Sequence, residues 1–240
     1  MLSDFGIAPS VGELKPPYPH WEEWQIQTVE EAIADAWNRV LQDAALAPGW
    51  MLTANEEAIT ERVHAALCRL LQDGTIILGF SKDHFQDPHR EASTTSHDGK
   101  QIKISPDLFF KRAAEKFTFS DPKQFGYFVE CKIVDANHSV ANYCDEDGIA
   151  RFCEGKYAWA MPFAGMVAYV RTPPNPPLRP HSSLSKALNG KSKSAKRDSG
   201  VLQGPALCSF STLALGVEVT VHNRTSNLPP VTLRHIWLNV

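Results

Sequence analysis

From about Trp21 to Leu41 the apolar residues Trp24, Val29, Ile33, Trp37, Val40 and Leu41 recur at the spacing that lines one face of a helix. Pro48-Gly49 interrupts the pattern. A second helix is predicted from Asn55, whose side chain suits an N-cap, with Glu56 and Glu57 in the first turn, where the helix dipole favours acids. Ile59, Val63, Leu67, Leu70 and Leu71 form its apolar stripe, and Asp73-Gly74 stops it.

Shorter elements follow. Residues 75–80 read as a strand, 81–99 as a long polar hairpin loop, and 101–110 and 125–134 as two further strands. The last of these is almost wholly apolar, as in a strand covered on both faces. A helix is expected over 149–161 and a strand over 165–171. Val217, Val219 and Val221 alternate with Glu218, Thr220 and His222, and an apolar run spans Val231 to Leu238, so two closing strands are predicted. His222 and Arg224 would then point outward, able to reach a phosphate, with a solvated sheet face as the preferred account.

This order predicts a single α/β domain with a mixed central sheet flanked by helices. Residues 1–50 would form an N-terminal helical extension carrying Trp21, Trp24 and Trp37, and 51–171 the core. Residues 172–204 would be a Pro-rich, basic, mobile loop, and 205–240 strands completing the same domain.

Composition narrows the class. The 240 residues are 43% hydrophobic, enough for a sizeable core, and the formal net charge of -3 does not by itself announce a nucleic-acid partner. The five cysteines form no C-x-x-C pair, which favours a reducing compartment over a disulfide framework. With no signal-peptide pattern and no apolar run of membrane-spanning length, a cytoplasmic protein without membrane association is expected. The basic stretch Arg179, Lys186, Lys191, Lys193, Lys196 and Arg197 is either a solvated loop or a clamp on a phosphodiester backbone.

The chemistry concentrates in two strands. In Phe125–Val134 only Glu130 and Lys132 are charged; two apart in a strand, they share a face, while Cys131 points to the other. Burying them demands partners or a polar cleft, and a mutual structural pair is the simplest account of such a triplet. Asp107, after Ser105-Pro106 and before Leu108-Phe109-Phe110, stands where proline marks an edge or bulge that re-aims the next side chain. The 23 residues from Asp107 to Glu130 (130 − 107) suit neighbouring antiparallel strands, so the three groups converge. Two carboxylates suit a hard cation such as Mg²⁺, with the Cys131 carbonyl as a third protein ligand and Lys132 facing the attacking water and a phosphate.

Ser-Pro-Asp107 followed by Val-Glu130-Cys-Lys132 resembles the PD-(D/E)xK signature of restriction-endonuclease-like nucleases, and the element order over roughly 55–171 is similar. The resemblance implies a restriction-endonuclease-like fold and Mg²⁺-dependent endonuclease activity, a hydrolase acting on DNA rather than RNA, with Mn²⁺ able to substitute. It also implies a homodimer or a companion protein and a place in restriction or antiviral defence. The family often places a glutamate of the first core helix beside the metal. Glu56, at the edge of the buried stripe, is preferred over Glu57 and Glu61, with a plain dipole role as the alternative. The helix after the E-x-K strand tends to carry phosphate-facing groups; Arg151, Lys156 and Tyr157 are the candidates here.

Other chemistries fit less well. The spacings among Cys131, His138, Cys144 and Cys153 match no zinc knuckle, and neither a G-x-S-x-G elbow nor a phosphate-binding G-x-x-x-x-G-K-[ST] loop is present. The rival to a nuclease is a catalytically inactive nucleic-acid-binding module or a structural subunit of a larger complex.

Overall fold

The computed structural model describes residues 13–45, 49–113, 118–145, 147–171, 179–189, 201–206, 214–225 and 227–240. In chain order the elements are β1 (Glu13–Leu14), α1 (Glu23–Ala45), α2 (Trp50–Thr53), α3 (Glu56–Asp73), β2 (His89–Arg90), β3 (Thr94–Thr95), β4 (Ile102–Ile104), β5 (Leu108–Phe110) and β6 (Thr118–Phe119). After a 3-10 turn at Pro122–Gln124 come β7 (Tyr127–Val134), α4 (Val140–Cys144), α5 (Ile149–Cys153), β8 (Phe163–Val170), α6 (Pro180–Leu188), β9 (Val201–Ala206), β10 (Ala214–His222) and β11 (Val231–Asn239).

A seven-stranded mixed sheet in the order β2-β5-β7-β8-β11-β10-β9 organises the chain. Its centre, β7, β8 and β11, is parallel. The flanking pairs are antiparallel. Every residue of β8, and all of β7 except Lys132, is buried, the pattern of strands covered on both faces. The fold is thus mixed α/β, as the sequence pattern predicts. No helix among the described residues is long and apolar enough to cross a membrane.

Helices α1 and α3 pack on one face of the sheet. Val29, Ile33, Trp37 and Val40 of α1 are buried in the same core as β8 and β11, with Trp37 stacked on Tyr169 and its indole N–H donated to the Asn239 carbonyl at 2.8 Å. α1 therefore packs into the same core as the sheet. Trp24 turns away from the apolar stripe, 45% exposed, edge-on to His84. Asn55 caps α3 by accepting the Ala58 N–H at 2.8 Å. Gly74 closes it in the left-handed conformation, φ 68°, where a side chain would be strained.

Four expectations are corrected. Residues 75–80 form turns, with Leu78 95% exposed. The strand expected over 101–110 splits at Ser105-Pro106-Asp107 into β4, which pairs with β3, and β5, which pairs with β2 and β7. The helix expected over 149–161 ends at Cys153, because Gly155 and Ala158 take positive φ. The stretch 172–204 holds a helix, α6, started by Pro180 and burying Leu184 and Leu188.

Candidate functional site

The site lies where β7 outruns its neighbour. β5 and β7 pair only from Phe110↔Tyr127 to Leu108↔Val129, so Asp107 is next in line opposite Glu130 as the ladder stops. In a strand the N–H and C=O of one residue face the same way, so those of Cys131 and Ile133 open on a notch at the end of β5. Two carboxylates cap the notch. Asp107 Oδ2 accepts the Cys131 N–H at 2.7 Å, and Glu56 Oε2 accepts the Ile133 N–H at 3.2 Å. Strand-edge amides buried without acceptors would cost free energy, which gives both acids a structural role as well as a chemical one. Pro106 is suited to this break because it has no N–H to offer a ladder.

The charged side chains of β7 complete the cluster. Lys132 Nζ lies 2.7 Å from Glu56 Oε1 and 3.0 Å from Glu130 Oε1. Arg151, from α5, places Nη1 3.2 Å from the same Glu130 oxygen. The Tyr157 hydroxyl donates to Glu130 Oε2. Glu130 is only 1% exposed, and its Oε1 accepts no hydrogen bond of good geometry despite the two adjacent cations. Burial, reinforced by the Asp107 carboxylate and opposed by Lys132 and Arg151, pushes Glu130 up to about 7. Burial also raises Asp107, against Lys132 and the Cys131 amide. Lys132 is held above its usual range: burial opposes its charge, but Glu130, Glu56 and Asp107 outweigh that.

A cleft of about 540 Å³ opens beyond Lys132, lined by Glu56, Lys132, His138, Asn142, Asp147 and Arg151 among others. It sits past the carboxyl end of β7, where open α/β sheets present their ligand crevices.

The structure thus brings together Glu56, Asp107, Glu130, Lys132 and Arg151. Cys131 can contribute only its carbonyl, because its thiol lies on the opposite face at Tyr169, where burial pushes it well above the thiol range. Glu57 and Glu61 instead pair with Arg90. Lys156 pairs with Glu154 at 3.4 Å, and Tyr157 is buried against Glu130 rather than facing the cleft. Lys191, Lys193, Lys196 and Arg197 lie outside the described residues.

His222 and Arg224 are not on a solvated face; both are buried. Arg224 donates to the carbonyls of Pro229, Ala158 and Met161 at 2.6, 3.0 and 3.0 Å, tying down the segment after α5. His222 joins a buried chain in which Thr220 Oγ1 lies 2.8 Å from His222 and 2.7 Å from His235, and His235 lies 2.8 Å from the Tyr143 hydroxyl. In the sequence His138 stands out only through the cysteine–histidine spacing that fits no zinc knuckle, and nothing marks Asn142 or Asp147; their position just after β7 is the one signal that places them at a strand's carboxyl end.

Among the described residues no three His, Cys, Asp or Glu side chains stand close enough together to hold a metal ion. The acids are arranged around the Lys132 ammonium instead. In kind, the carboxylate oxygens and the Cys131 carbonyl on the same notch are ligands that suit a hard cation, but Glu130 Oε1 is held here between Lys132 and Arg151. Comparison with protein-family models, with curated proteins and with solved structures finds no match to this chain.

Proposed function

We propose that the chain is a Mg²⁺-dependent nuclease of the PD-(D/E)xK kind, with a restriction-endonuclease-like core, hydrolysing phosphodiester bonds in DNA. The observation that carries this reading is the meeting of Asp107, Glu130 and Lys132, from neighbouring strands, with Glu56 at one notch beside an open cleft. Asp107, Glu130 and the Cys131 carbonyl, with Glu56 alongside, would hold the ion. When bound, it polarises the phosphoryl oxygens and makes a water more acidic.

The chain's own cations do the rest. Lys132, freed from Glu56, orients the attacking water and offsets phosphate charge. Arg151, on the cleft wall, stabilises charge developing on the phosphoryl oxygens. A role in restriction or antiviral defence, and assembly as a homodimer or with a companion protein, belong to the same proposal.

A second reading is favoured by one observation. Lys132 already neutralises Glu56 and Glu130, as in a module that binds nucleic acid or a partner without cutting it. Incubation of linear and circular DNA with the protein in Mg²⁺, in EDTA, and with Lys132→Ala separates the two. The nuclease reading expects degradation that EDTA and the substitution both abolish. Equal degradation by wild type and variant, or intact DNA throughout, overturns it.

A further inference from the structure

The cleft beside Lys132 carries a second arrangement of catalytic type. The turn after β7, Asp135-Ala-Asn-His138, folds back on itself. Asp135 Oδ1 accepts the backbone N–H groups of Asn137 and His138, each at 2.8 Å, and lies 2.8 Å from His138 Nδ1. Arg171, at the end of β8, places Nη1 3.8 Å from Asp135 Oδ2. Burial opposes charge on Asp135, but His138 and the two amides outweigh it and hold the carboxyl below its ordinary range. An aspartate so fixed as an anion orients the imidazole through Nδ1–H and leaves Nε2 as the ring's working nitrogen. His138 lines the same cleft as Lys132 and Arg151 and is half exposed.

We propose that His138 is the general acid of the phosphodiester cleavage, with Asp135 as its positioning residue. This rests on the nuclease reading. Water adds to phosphorus, and its proton leaves to solvent through the open cleft. The bond from phosphorus to the leaving ester oxygen breaks, with its electron pair going to that oxygen. The oxygen takes the proton from Nε2 of the imidazolium, which is restored from solvent. Asp135 balances the imidazolium charge throughout.

The leaving group provides the test. DNA must expel a poor alkoxide that needs a proton, whereas the p-nitrophenyl ester of thymidine 5′-monophosphate expels a stable phenolate that does not. Both are hydrolysed by wild type, His138→Gln and Asp135→Asn in saturating Mg²⁺, with circular dichroism confirming the fold. His138→Gln is expected to lose about 100-fold on DNA, the lower range for a general acid. Its loss on the nitrophenyl ester should be at least about tenfold smaller. Asp135→Asn, which keeps the imidazole but weakens its orientation, should fall between wild type and His138→Gln on DNA. Equal losses on both substrates, or none, overturn the role of His138 and leave the nuclease reading standing. A wild type inactive on both overturns the nuclease reading and this one with it.

Discussion

Glu56 Oε1 lies 2.7 Å from Lys132 Nζ while its Oε2 accepts the Ile133 N–H, so the first residue of α3 is fastened twice to β7 across the notch where β5 ends. Asn55 sets this up, since its cap fixes where the helix begins. Glu56→Ala strips both an ammonium and a buried amide of their acceptor, and is expected to cost about 1–3 kcal/mol. Glu56→Gln keeps an oxygen for the amide and should lose roughly half as much. Urea denaturation of the metal-free protein, compared at equal slope, measures both; equal losses would show that the amide contact contributes nothing.

A separate ion pair anchors α1. Glu30, fully buried, takes Arg234 of β11 through both oxygens, at 2.5 and 2.7 Å, and also receives the Tyr127 hydroxyl at 3.3 Å. Removing one partner strands the other charge away from water, whereas replacing both with apolar residues removes the desolvation cost as well. Arg234→Met alone is expected to destabilise by about 3–5 kcal/mol, and Glu30→Leu with Arg234→Met to recover most of that. A double-mutant cycle by thermal and urea unfolding decides it; additive losses would contradict the account.

Gly148 joins the short helices that carry the cleft wall. A Cβ there would meet the Tyr143 carbonyl oxygen at 1.9 Å, a backbone atom that cannot swing away. Gly148→Ala must therefore push α4 and α5 apart, moving Arg151 off Glu130. The expected outcome is a lower Tm, measured by calorimetry. An unchanged Tm would mean the two helices have slack that the packing does not suggest.

The sequence made some of this legible because local chemistry decides it. The Asn55 cap and the two-residue alternation that puts Glu130 and Lys132 on one face follow from short-range rules that tertiary context leaves intact; Pro106 marked an irregularity, but not that the strand breaks there into β4 and β5. Other features were hidden. Residues 75–80 carry the apolar composition of a strand, yet Gly79 at φ 86° and Leu78 in solvent show a turn cluster that periodicity cannot distinguish from a strand. Alternation in β10 gave the right element and the wrong environment, because Thr220 and His222 are polar residues paired with one another and with His235, not with water. The helix α6 was masked by the prolines and lysines around it, although Leu184 and Leu188 stand one helical turn apart. The use of Asp107 and Glu56 as acceptors for strand amides needed the register of β5 against β7, which no single-chain pattern supplies.

Glu130 supplies a prediction with a definite sign. Its carboxyl stands near 4.5 when exposed and is pushed up to about 7 in the folded protein, chiefly by burial and then by Asp107. The folded state therefore binds this proton more tightly than the unfolded chain does. Where the native state holds more protons, stability falls as pH rises, so the contribution of Glu130 is fully present below 4.5 and is lost progressively between 4.5 and about 7. The raised Asp107 acts in the same direction. In EDTA, the wild type should lose Tm relative to Glu130→Gln across that window, because the amide keeps a buried polar group at this position without the charge. Added Mg²⁺ should reverse the difference above pH 7, since a cation that holds the carboxylate favours the ionised form that burial disfavours. Parallel Tm profiles for the two proteins in EDTA would show that Lys132 and Arg151 already compensate the charge in full, and a Mg²⁺ response retained by Glu130→Gln would place the ion elsewhere.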